Sequence, residues 1–287
     1  MATRKSATTA RKPAAKKAAP RAVKTSTKTK VTTVSAAPTA VSNTKFSFSR
    51  SPLLAASIAE FVGTFMLAAI VLSSQGTPVY AFFGLVTIVL AIGAVSGAHV
   101  NPAITIGAWV TRRVNSARAL SYIGAQILGA GLAFLLFSAF IGAAPKPEMQ
   151  NMAMLGQQMA GPSIFSLPEL TTKTQALIMS TEMLGAGLFA FGVASAMREK
   201  KRIVVAFGVG GSLFVGLAVA SYLSGVVTGA QNGGPAALNP AVAAALQGFK
   251  GLSWSNWWPL VVYAAAPAVG AVIGFGLRDL LQTESEA

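Results

Sequence analysis

The sequence contains no cysteine and only one histidine, His99, among its 287 residues. The absence of cysteine excludes disulfides, thiolate-bound metals and thiol nucleophiles, and a single histidine excludes histidine-rich metal sites. Charged residues are scarce, at 11% of the chain, whereas hydrophobic residues make up 53%. This is the composition of a membrane protein rather than of a soluble domain. We expect no metal, no cofactor and no enzymatic activity, because the sequence shows no nucleophile–base pair, metal cluster or phosphate-cradling loop.

Acidic residues are absent from residues 1–50, which contain 12 of the 23 lysines and arginines. The rest of the chain carries 11 basic and 8 acidic groups, a net charge of +3. We therefore divide the chain into a basic tail (residues 1–50), a membrane domain (51–280) and a short C-terminal tail (281–287). The basic tail cannot bury enough apolar surface to offset its ordering entropy, so we predict that it is disordered. Two interpretations stay open: the tail contacts anionic lipid or nucleic acid, or it is solvated and only helps to fix the topology.

Six apolar runs are long enough to cross a lipid bilayer. They cover about residues 53–73, 79–98, 119–142, 175–197, 203–226 and 258–277. Basic residues concentrate in the N-terminal tail, in the loop around residues 112–118 and in the loop at residues 198–202. Two spans separate the tail from the first of these loops and four spans separate it from the second. Because both numbers are even, all three segments lie on the same side of the membrane. By the positive-inside rule we predict that both termini are cytoplasmic, and we expect the plasma membrane.

Two Asn-Pro-Ala triplets, Asn101-Pro102-Ala103 and Asn239-Pro240-Ala241, each open an apolar stretch too short to cross a bilayer. A helix of about 10 residues is about 15 Å long, and the hydrocarbon core is about 30 Å thick. Asparagine is a favoured N-cap, and proline at the first helical position loses no useful donor. Broken helices survive at membrane depth only inside protein or along a water-filled path. The triplets therefore predict two half-helices that meet at the bilayer centre beside a polar passage.

The two halves of the membrane domain repeat each other, over about residues 51–142 and 173–280. Glu60-x-x-Gly63 matches Glu182-x-x-Gly185, and the Asn-Pro-Ala triplets match each other. Tyr122-x3-Gln126-x2-Gly129 matches Tyr263-x3-Pro267-x2-Gly270. Because each half has three spans, an odd number, the second copy must be inverted relative to the first. Inverted repeats with discontinuous helices place the working site near the membrane midplane.

Residues 52–280 resemble the major intrinsic protein family of aquaporins and aquaglyceroporins. The resemblance is carried by Ser96-Gly97-Ala98-His99-Val100-Asn101-Pro102-Ala103, by Leu238-Asn239-Pro240-Ala241 and by the repeated glutamate and glycine pairs. It implies an all-α membrane protein with six transmembrane helices, two re-entrant half-helices and an inverted repeat. It also implies a homotetramer with a pore in each subunit, and a passive channel for water and small uncharged solutes. In such a pore Asn101 and Asn239 turn amide donors into the passage, and the positive half-helix ends oppose cations and protons.

Three polar residues are candidates for bracing the loops that lead into the half-helices. Glu60 and Glu182 are the only acidic residues within the predicted spans, where a carboxylate is costly and normally faces a partner or a cavity. A proton relay is one interpretation; we prefer a structural one, in which each accepts hydrogen bonds from irregular backbone in its own half. The resemblance likewise implies that His99 braces a loop near the pore.

The predicted outer constriction departs from the family pattern. Where many members carry arginine after the second triplet, this chain has Val242, which neither donates a hydrogen bond nor repels a cation. The other constriction positions are assigned to Ala236 in the loop, Ser221 or Tyr222 in the fifth span, and Ala81 in the second span, with Phe82 or Phe83 as its alternatives. This set predicts a mouth wider and more apolar than a strict water filter. Glycerol, urea, ammonia and hydrogen peroxide are then candidate permeants besides water.

A secondary transporter is the alternative function, because transporters also use broken helices and inverted repeats around a midplane site. Coupled transport needs ionisable or ion-coordinating groups at that site. The predicted midplane offers two asparagine amides instead, so we favour a channel.

Overall fold

The structure is a computed structural model that describes residues 51–145, 163–231 and 233–281. Apart from one isolated bridge between Ser253 and Asn256, its regular elements in these ranges are helical. The predicted basic tail, and residues 282–287 of the predicted C-terminal tail, lie outside the described residues.

Six helices in the described ranges are long and apolar enough to cross a membrane. They are α1 (Pro52–Ser73), α2 (Pro78–Ser96), α4 (Ser116–Gly142), α5 (Gln175–Ala196), α6 (Arg202–Thr228) and α8 (Trp258–Leu280). Two shorter helices, α3 (Pro102–Val110) with 9 residues and α7 (Pro240–Ala245) with 6, begin at the Asn-Pro-Ala triplets. The predicted fold class, an all-α membrane protein with six spans and two half-helices, is confirmed.

Local sequence signals explain where these helices begin and end. Proline is the first residue of α1, α2, α3 and α7, where its missing N–H would have had no helical partner. Helices α2 and α6 end at Gly97 and Gly229, which adopt left-handed φ angles of 93° and 77°. Glycine accepts this conformation without a steric penalty, so it commonly ends a helix.

The two halves, α1–α4 and α5–α8, pack internally in the same way. A Cβ added to Gly129 in α4 would collide with the backbone carbonyl of Phe61 in α1. A Cβ added to Gly270 in α8 would collide with the carbonyl of Met183 in α5. Both pairs are related by the repeat found in the sequence. Small residues that let backbones approach closely are typical of helix contacts in membranes.

The second half-helix is shorter than the sequence predicts, since the apolar run continues to Phe249 but α7 ends at Ala245. Gln247 adopts a φ of 58°, and the N–H of Gly248 donates to the carbonyl of Ala243 at 2.8 Å. This closing turn satisfies a carbonyl that would otherwise lack a partner at the helix end.

The last helix is longer than predicted, because α8 continues to Leu280 and so includes Asp279. The prediction that the spans contain only two acidic residues is therefore wrong. The Asp279 carboxylate lies 2.6 Å from the guanidinium of Arg113, just beyond the end of α3. The same guanidinium lies 4.7 Å from the centre of the Phe275 ring. Pairing with Arg113 offsets the cost of a carboxylate near the end of a span.

Candidate functional site

Asn101 and Asn239 cap the two half-helices with their side-chain oxygens. Asn101 Oδ1 accepts hydrogen bonds from the N–H groups of Ala103 (2.8 Å) and Ile104 (3.4 Å). Asn239 Oδ1 accepts from Ala241 (3.0 Å) and Val242 (3.3 Å). Both asparagines have extended backbone and are almost fully buried. Each side chain thus satisfies two of the orphan donors at the start of its helix.

The amide nitrogens of the same asparagines connect the two halves. Asn101 Nδ2 donates to the carbonyl of Leu238 at 2.9 Å, and Asn239 Nδ2 donates to the carbonyl of Val100 at 2.9 Å. The two half-helices therefore meet tip to tip. An amide nitrogen has two hydrogens, so each asparagine keeps one N–H beyond this reciprocal bond.

Glu60 and Glu182 bind the loops that precede the half-helices. Glu60 accepts the backbone N–H groups of His99 (2.9 Å) and Val100 (2.6 Å). Glu182 accepts those of Ala237 (2.8 Å) and Leu238 (2.7 Å). Both carboxylates are buried, at 0% and 1% exposure. The structure thus brings each carboxylate to two loop N–H groups in its own half, as a loop brace requires.

The glycines of the two Glu-x-x-Gly motifs make room for these loops. A Cβ on Gly63 would lie 2.6 Å from Val100, and a Cβ on Gly185 would lie 2.6 Å from Leu238. Val100 and Leu238 adopt positive φ angles of 41° and 54°, which are strained for branched side chains. In each motif the glutamate therefore binds two N–H groups of the loop. The glycine, one helical turn later, leaves space for the side chain of the loop residue with the positive φ angle.

A narrow cavity extends from the two asparagines toward the start of α2. It leaves about 20 Å³ for the centres of water molecules, which is space for about one or two waters. Its polar lining includes His99, Asn101 and Asn239. The apolar side chains that line it are Leu67, Val71, Ala81, Leu85, Val100, Phe189, Leu213, Leu217, Ala236, Ala237 and Val242. The cavity is therefore polar beside the two asparagines and apolar toward the start of α2.

Three of the predicted constriction residues, Ala81, Ala236 and Val242, line this cavity. The α2 alternatives do not line it: Phe82 packs on α6, with its ring centre 5.9 Å from that of Phe207, and Phe83 is 57% exposed on the outside of the bundle. Of the candidates in the second span, the structure therefore places Ala81 at the passage.

The predicted contributors from the fifth span, Ser221 and Tyr222, do not line this cavity. Ser221 lies one turn beyond the cavity, where its carbonyl accepts the N–H of Gly234 at 2.8 Å. Tyr222 is 69% exposed and points away from the bundle. Leu213 and Leu217 line the cavity in their place. These leucines are bulkier than the serine predicted at this position, and they leave less space here than the sequence analysis predicts.

Leu67 and Phe189 are passage residues that the sequence reasoning missed. They line the cavity from α1 and α5, and they are 122 positions apart, the same offset as between Glu60 and Glu182. Applying the repeat to residues beyond the motifs would have paired them. Their apolar character gave no separate signal, because most residues in these spans are apolar.

A model of the major intrinsic protein family matches residues 47–277. Glycerol uptake facilitator protein-like 6 of Lactiplantibacillus plantarum is 31% identical over 225 residues, which cover 75% of this chain and 93% of that protein. Aquaporin AqpM of Methanothermobacter marburgensis is 29% identical over 266 residues, covering 79% of this chain and 97% of the relative. The solved aquaglyceroporin of Plasmodium falciparum aligns with a TM-score of 0.54 at 19% identity, covering 80% of this chain and 96% of that one. At this identity the structural likeness concerns the fold alone.

Proposed function

This chain belongs to the major intrinsic protein family, whose members are channels and not enzymes, and on that premise we propose how it selects its permeants. It is an integral membrane channel for water or small solutes. We propose that conduction is passive, that water and small uncharged solutes pass, and that ions are excluded. The observation that carries this proposal is the reciprocal pairing of Asn101 and Asn239 at a water-sized cavity.

Ion exclusion is assigned to the centre of the passage. The N-termini of α3 and α7 bring two partial positive charges toward one point, and each asparagine has one amide hydrogen left for a permeant. A neutral oxygen or nitrogen accepts these hydrogens, whereas a cation meets unfavourable potential. Half-helix dipoles are the established means of proton exclusion in aquaporin-type pores. Since the constriction has Val242 in place of arginine, the centre must provide most of the selectivity against cations.

The outer half sets the preference among uncharged solutes. Ala81, Leu217, Ala236 and Val242 offer no side-chain hydrogen bonds, so a permeant passing them loses part of its hydration. That cost is lowest for small solutes with few polar groups. We therefore propose that water, ammonia and hydrogen peroxide pass more readily than urea, and urea more readily than glycerol.

Stopped-flow measurements on proteoliposomes test the proposed function. Shrinkage and reswelling rates would be compared for water, urea and glycerol, with protein-free liposomes as the control and a voltage-sensitive dye to report ion leak. We expect fast water flux that does not saturate, slower flux of the larger solutes and no ion leak above the control. A flux that saturates and follows an ion gradient would instead support the secondary transporter.

We further propose a homotetramer in the plasma membrane, with both termini cytoplasmic. The connection from α5 to α6 carries Arg198, Lys200 and Lys201, whereas the opposite side has Lys173 and Lys250 among the described residues. This asymmetry agrees with the positive-inside rule. Because the chain has no cysteine, single cysteines introduced at positions 200 and 250 can be labelled separately from each side. Native mass spectrometry of the same protein would report the number of subunits.

The basic tail is proposed to contact anionic lipid or nucleic acid, and it lies outside the described residues. Deleting residues 2–45 should abolish binding to anionic vesicles or to nucleic acid and leave solute flux unchanged. Loss of flux in correctly inserted protein would assign the tail to the channel itself.

A further inference from the structure

An aromatic turn, residues 252–257, lies between the second half-helix and the last span. Trp254 is 92% exposed, the largest exposed fraction among the large hydrophobic side chains of the described residues, and Trp257 is 50% exposed. Leu252 beside them is exposed as well. The two indole rings meet edge to face, with their centres 5.9 Å apart. A cluster of exposed apolar side chains marks a contact surface.

The aromatic turn is held in shape by its own hydrogen bonds. Ser253 and Asn256 exchange backbone hydrogen bonds at 3.2 and 3.1 Å. The side-chain oxygen of Asn256 accepts the N–H of Trp258, the first residue of α8, at 3.3 Å. Trp257 Nε1 donates to the carbonyl of Trp254 at 3.1 Å. Trp254 Nε1 has no hydrogen-bond partner in the ranges that the structure describes, so the turn presents one indole with a free donor.

The exposed side of α8 indicates what the aromatic turn meets. Every fourth residue from the turn inward is exposed, and this stripe consists of Trp257, Val261, Ala265, Val269, Ile273 and Leu277. The stripe is apolar along the whole span, so it suits the hydrocarbon of a bilayer. Helix α8 has 23 residues, which give a length of about 35 Å against about 30 Å for the hydrocarbon core. The aromatic turn, which directly precedes α8, therefore lies where hydrocarbon meets the headgroups.

We propose that the aromatic turn is an anchor in the interfacial region of the bilayer, with the Trp254 indole inserted among the phospholipids. Tryptophan suits this level because its ring is apolar while its N–H donates to lipid oxygens. The free N–H of Trp254 is available for that bond. In the proposed orientation the anchor lies in the outer leaflet.

A second copy of the chain is the competing occupant of this surface. Contacts between membrane helices are rich in small residues, as at Gly129 and Gly270 inside the bundle. The exposed stripe of α8 carries mainly branched aliphatic side chains instead, so lipid fits it better. The inference needs only that α8 crosses the membrane, and it stands apart from the proposed permeants.

The anchor also adds a hold on the end of α7, from which only residues 246–251 separate it. The corresponding end of α3 is fastened to α8 by the ion pair of Arg113 and Asp279 at 2.6 Å. The ion pair near the end of α7, between Lys250 and Glu169, has a distance of 4.0 Å and joins two exposed side chains. Such exposed pairs contribute little. Contact of the aromatic turn with lipid thus fixes an end that its ion pair fixes weakly.

Electron paramagnetic resonance of a spin label tests the anchor. Because the chain has no cysteine, Ser255→Cys at the exposed tip of the aromatic turn carries one nitroxide in the full chain, reconstituted in phosphatidylcholine vesicles. Thr172→Cys is the matched control, since Thr172 is exposed in a polar stretch before α5, on the same side of the membrane. Oxygen concentrates in lipid, and a soluble nickel complex stays in water. We expect the label at position 255 to be more accessible to oxygen and less accessible to nickel than the control.

Each other result of this experiment contradicts the anchor. Equal accessibility of both labels to nickel would place the aromatic turn in water. Low accessibility of the label at position 255 to both reagents would assign the surface to a second copy of the chain. Adding Trp254→Ser and Trp257→Ser to the labelled chain should shift the label toward nickel, and an absent shift would refute the role of the indoles.

Tryptophan fluorescence provides a second test that needs no label. The difference in emission between the unaltered chain and Trp254→Phe, a conservative variant, reports Trp254. We expect this difference to be quenched more by phospholipids brominated near the headgroup than by those brominated near the ends of the acyl chains. Quenching by iodide in the water phase, without quenching by brominated lipid, would overturn the proposal.

Hydrogen exchange tests the hold on α7. In the double variant Trp254→Ser and Trp257→Ser, the amides of residues 246–251 should exchange faster than in the unaltered chain. The amides at the end of α3 serve as the internal control and should not change. Unchanged exchange at residues 246–251 would refute the hold, while the spin label still decides whether the turn contacts lipid.

Discussion

Replacing Leu217 with alanine tests which residue of α6 controls the size of the permeant. Leu217 lines the cavity together with the small side chains of Ala81 and Ala236, and it is 5% exposed. Leu217→Ala removes three carbon atoms, a volume of roughly two to three waters at about 30 Å³ each. The cavity now leaves only about 20 Å³ for the centres of water molecules. Removing the side chain should therefore open a path for a solute as large as glycerol.

We expect glycerol permeability to rise at least tenfold in Leu217→Ala, which corresponds to a barrier lower by about 1.4 kcal/mol. Water already fits the cavity, so its permeability should change by less than about threefold under the same barrier relation. Stopped-flow light scattering on proteoliposomes measures both solutes in one preparation. The number of inserted channels must be matched between variants, because the ratio of the two permeabilities carries the result.

Ser221→Ala is the matched control, because Ser221 lies one helical turn further along the same face of α6. Its carbonyl is bonded to the loop at Gly234, and its side chain does not line the cavity. The ratio of glycerol to water permeability should stay unchanged in this variant. An increase in Ser221→Ala without one in Leu217→Ala would refute the reasoning and restore the assignment made from the sequence.

Three further predictions concern the centre of the passage and its supports. Val242→Arg adds a guanidinium group to the apolar part of the cavity, so it should slow urea and glycerol more than water in stopped-flow assays. Equal slowing of all three permeants would contradict the position assigned to Val242. Asn101→Asp puts a carboxylate at the midpoint and should raise cation leak, measured with a voltage-sensitive dye, with Asn239→Asp as its counterpart in the repeat; an unchanged leak in both would count against pore-facing amides. Glu60→Gln and Glu182→Gln should both lower the midpoint temperature of thermal unfolding. The amide of glutamine turns its NH₂ toward a backbone N–H that also donates, so that hydrogen bond is lost. Each hydrogen bond to a charged group that is lost costs about 1.5–3 kcal/mol of stability. The loss should be larger at Glu60, which accepts three hydrogen bonds rather than two, and equal midpoints would refute this ranking.

The spans and half-helices were predictable because their signals are local. A proline after serine, threonine or asparagine marks four helix starts, and the length of an apolar run decides whether it crosses the bilayer. The carboxylate contacts of Glu60 and Glu182 were also expected, since an acidic residue at membrane depth needs a partner. The early end of α7 was not predictable in this way, because it depends on a turn at Gln247 inside an apolar run.

The constriction was predicted less well because it depends on tertiary contacts. Ser221 and Leu217 lie on the same face of α6, so periodicity alone does not choose between them. The loop before the second Asn-Pro-Ala triplet decides which of the two residues lines the cavity. Gly233 and Gly234 of this loop contact Ser221, so Leu217 is the residue that lines the cavity. The contact between Gln126 and Thr105 is likewise invisible in the sequence, because it joins α4 to α3.

The repeat separates what the fold requires from what distinguishes this channel. Both halves must hold a loop, start a half-helix and cross two helices closely, so the residues for these tasks occur twice. The duplicated pairs are Glu60 and Glu182, Gly63 and Gly185, Asn101 and Asn239, and Gly129 and Gly270. The pairs that differ at the passage or beside it are Leu67 and Phe189, His99 and Ala237, Thr105 and Ala243, and Gln126 and Pro267. Leu67 and Phe189 are both apolar and both line the cavity, so this pair can vary without breaking a buried hydrogen bond. Exchanging Leu67 and Phe189 should therefore alter solute preference with little loss of stability, whereas changing one member of a duplicated pair should destabilise the protein itself.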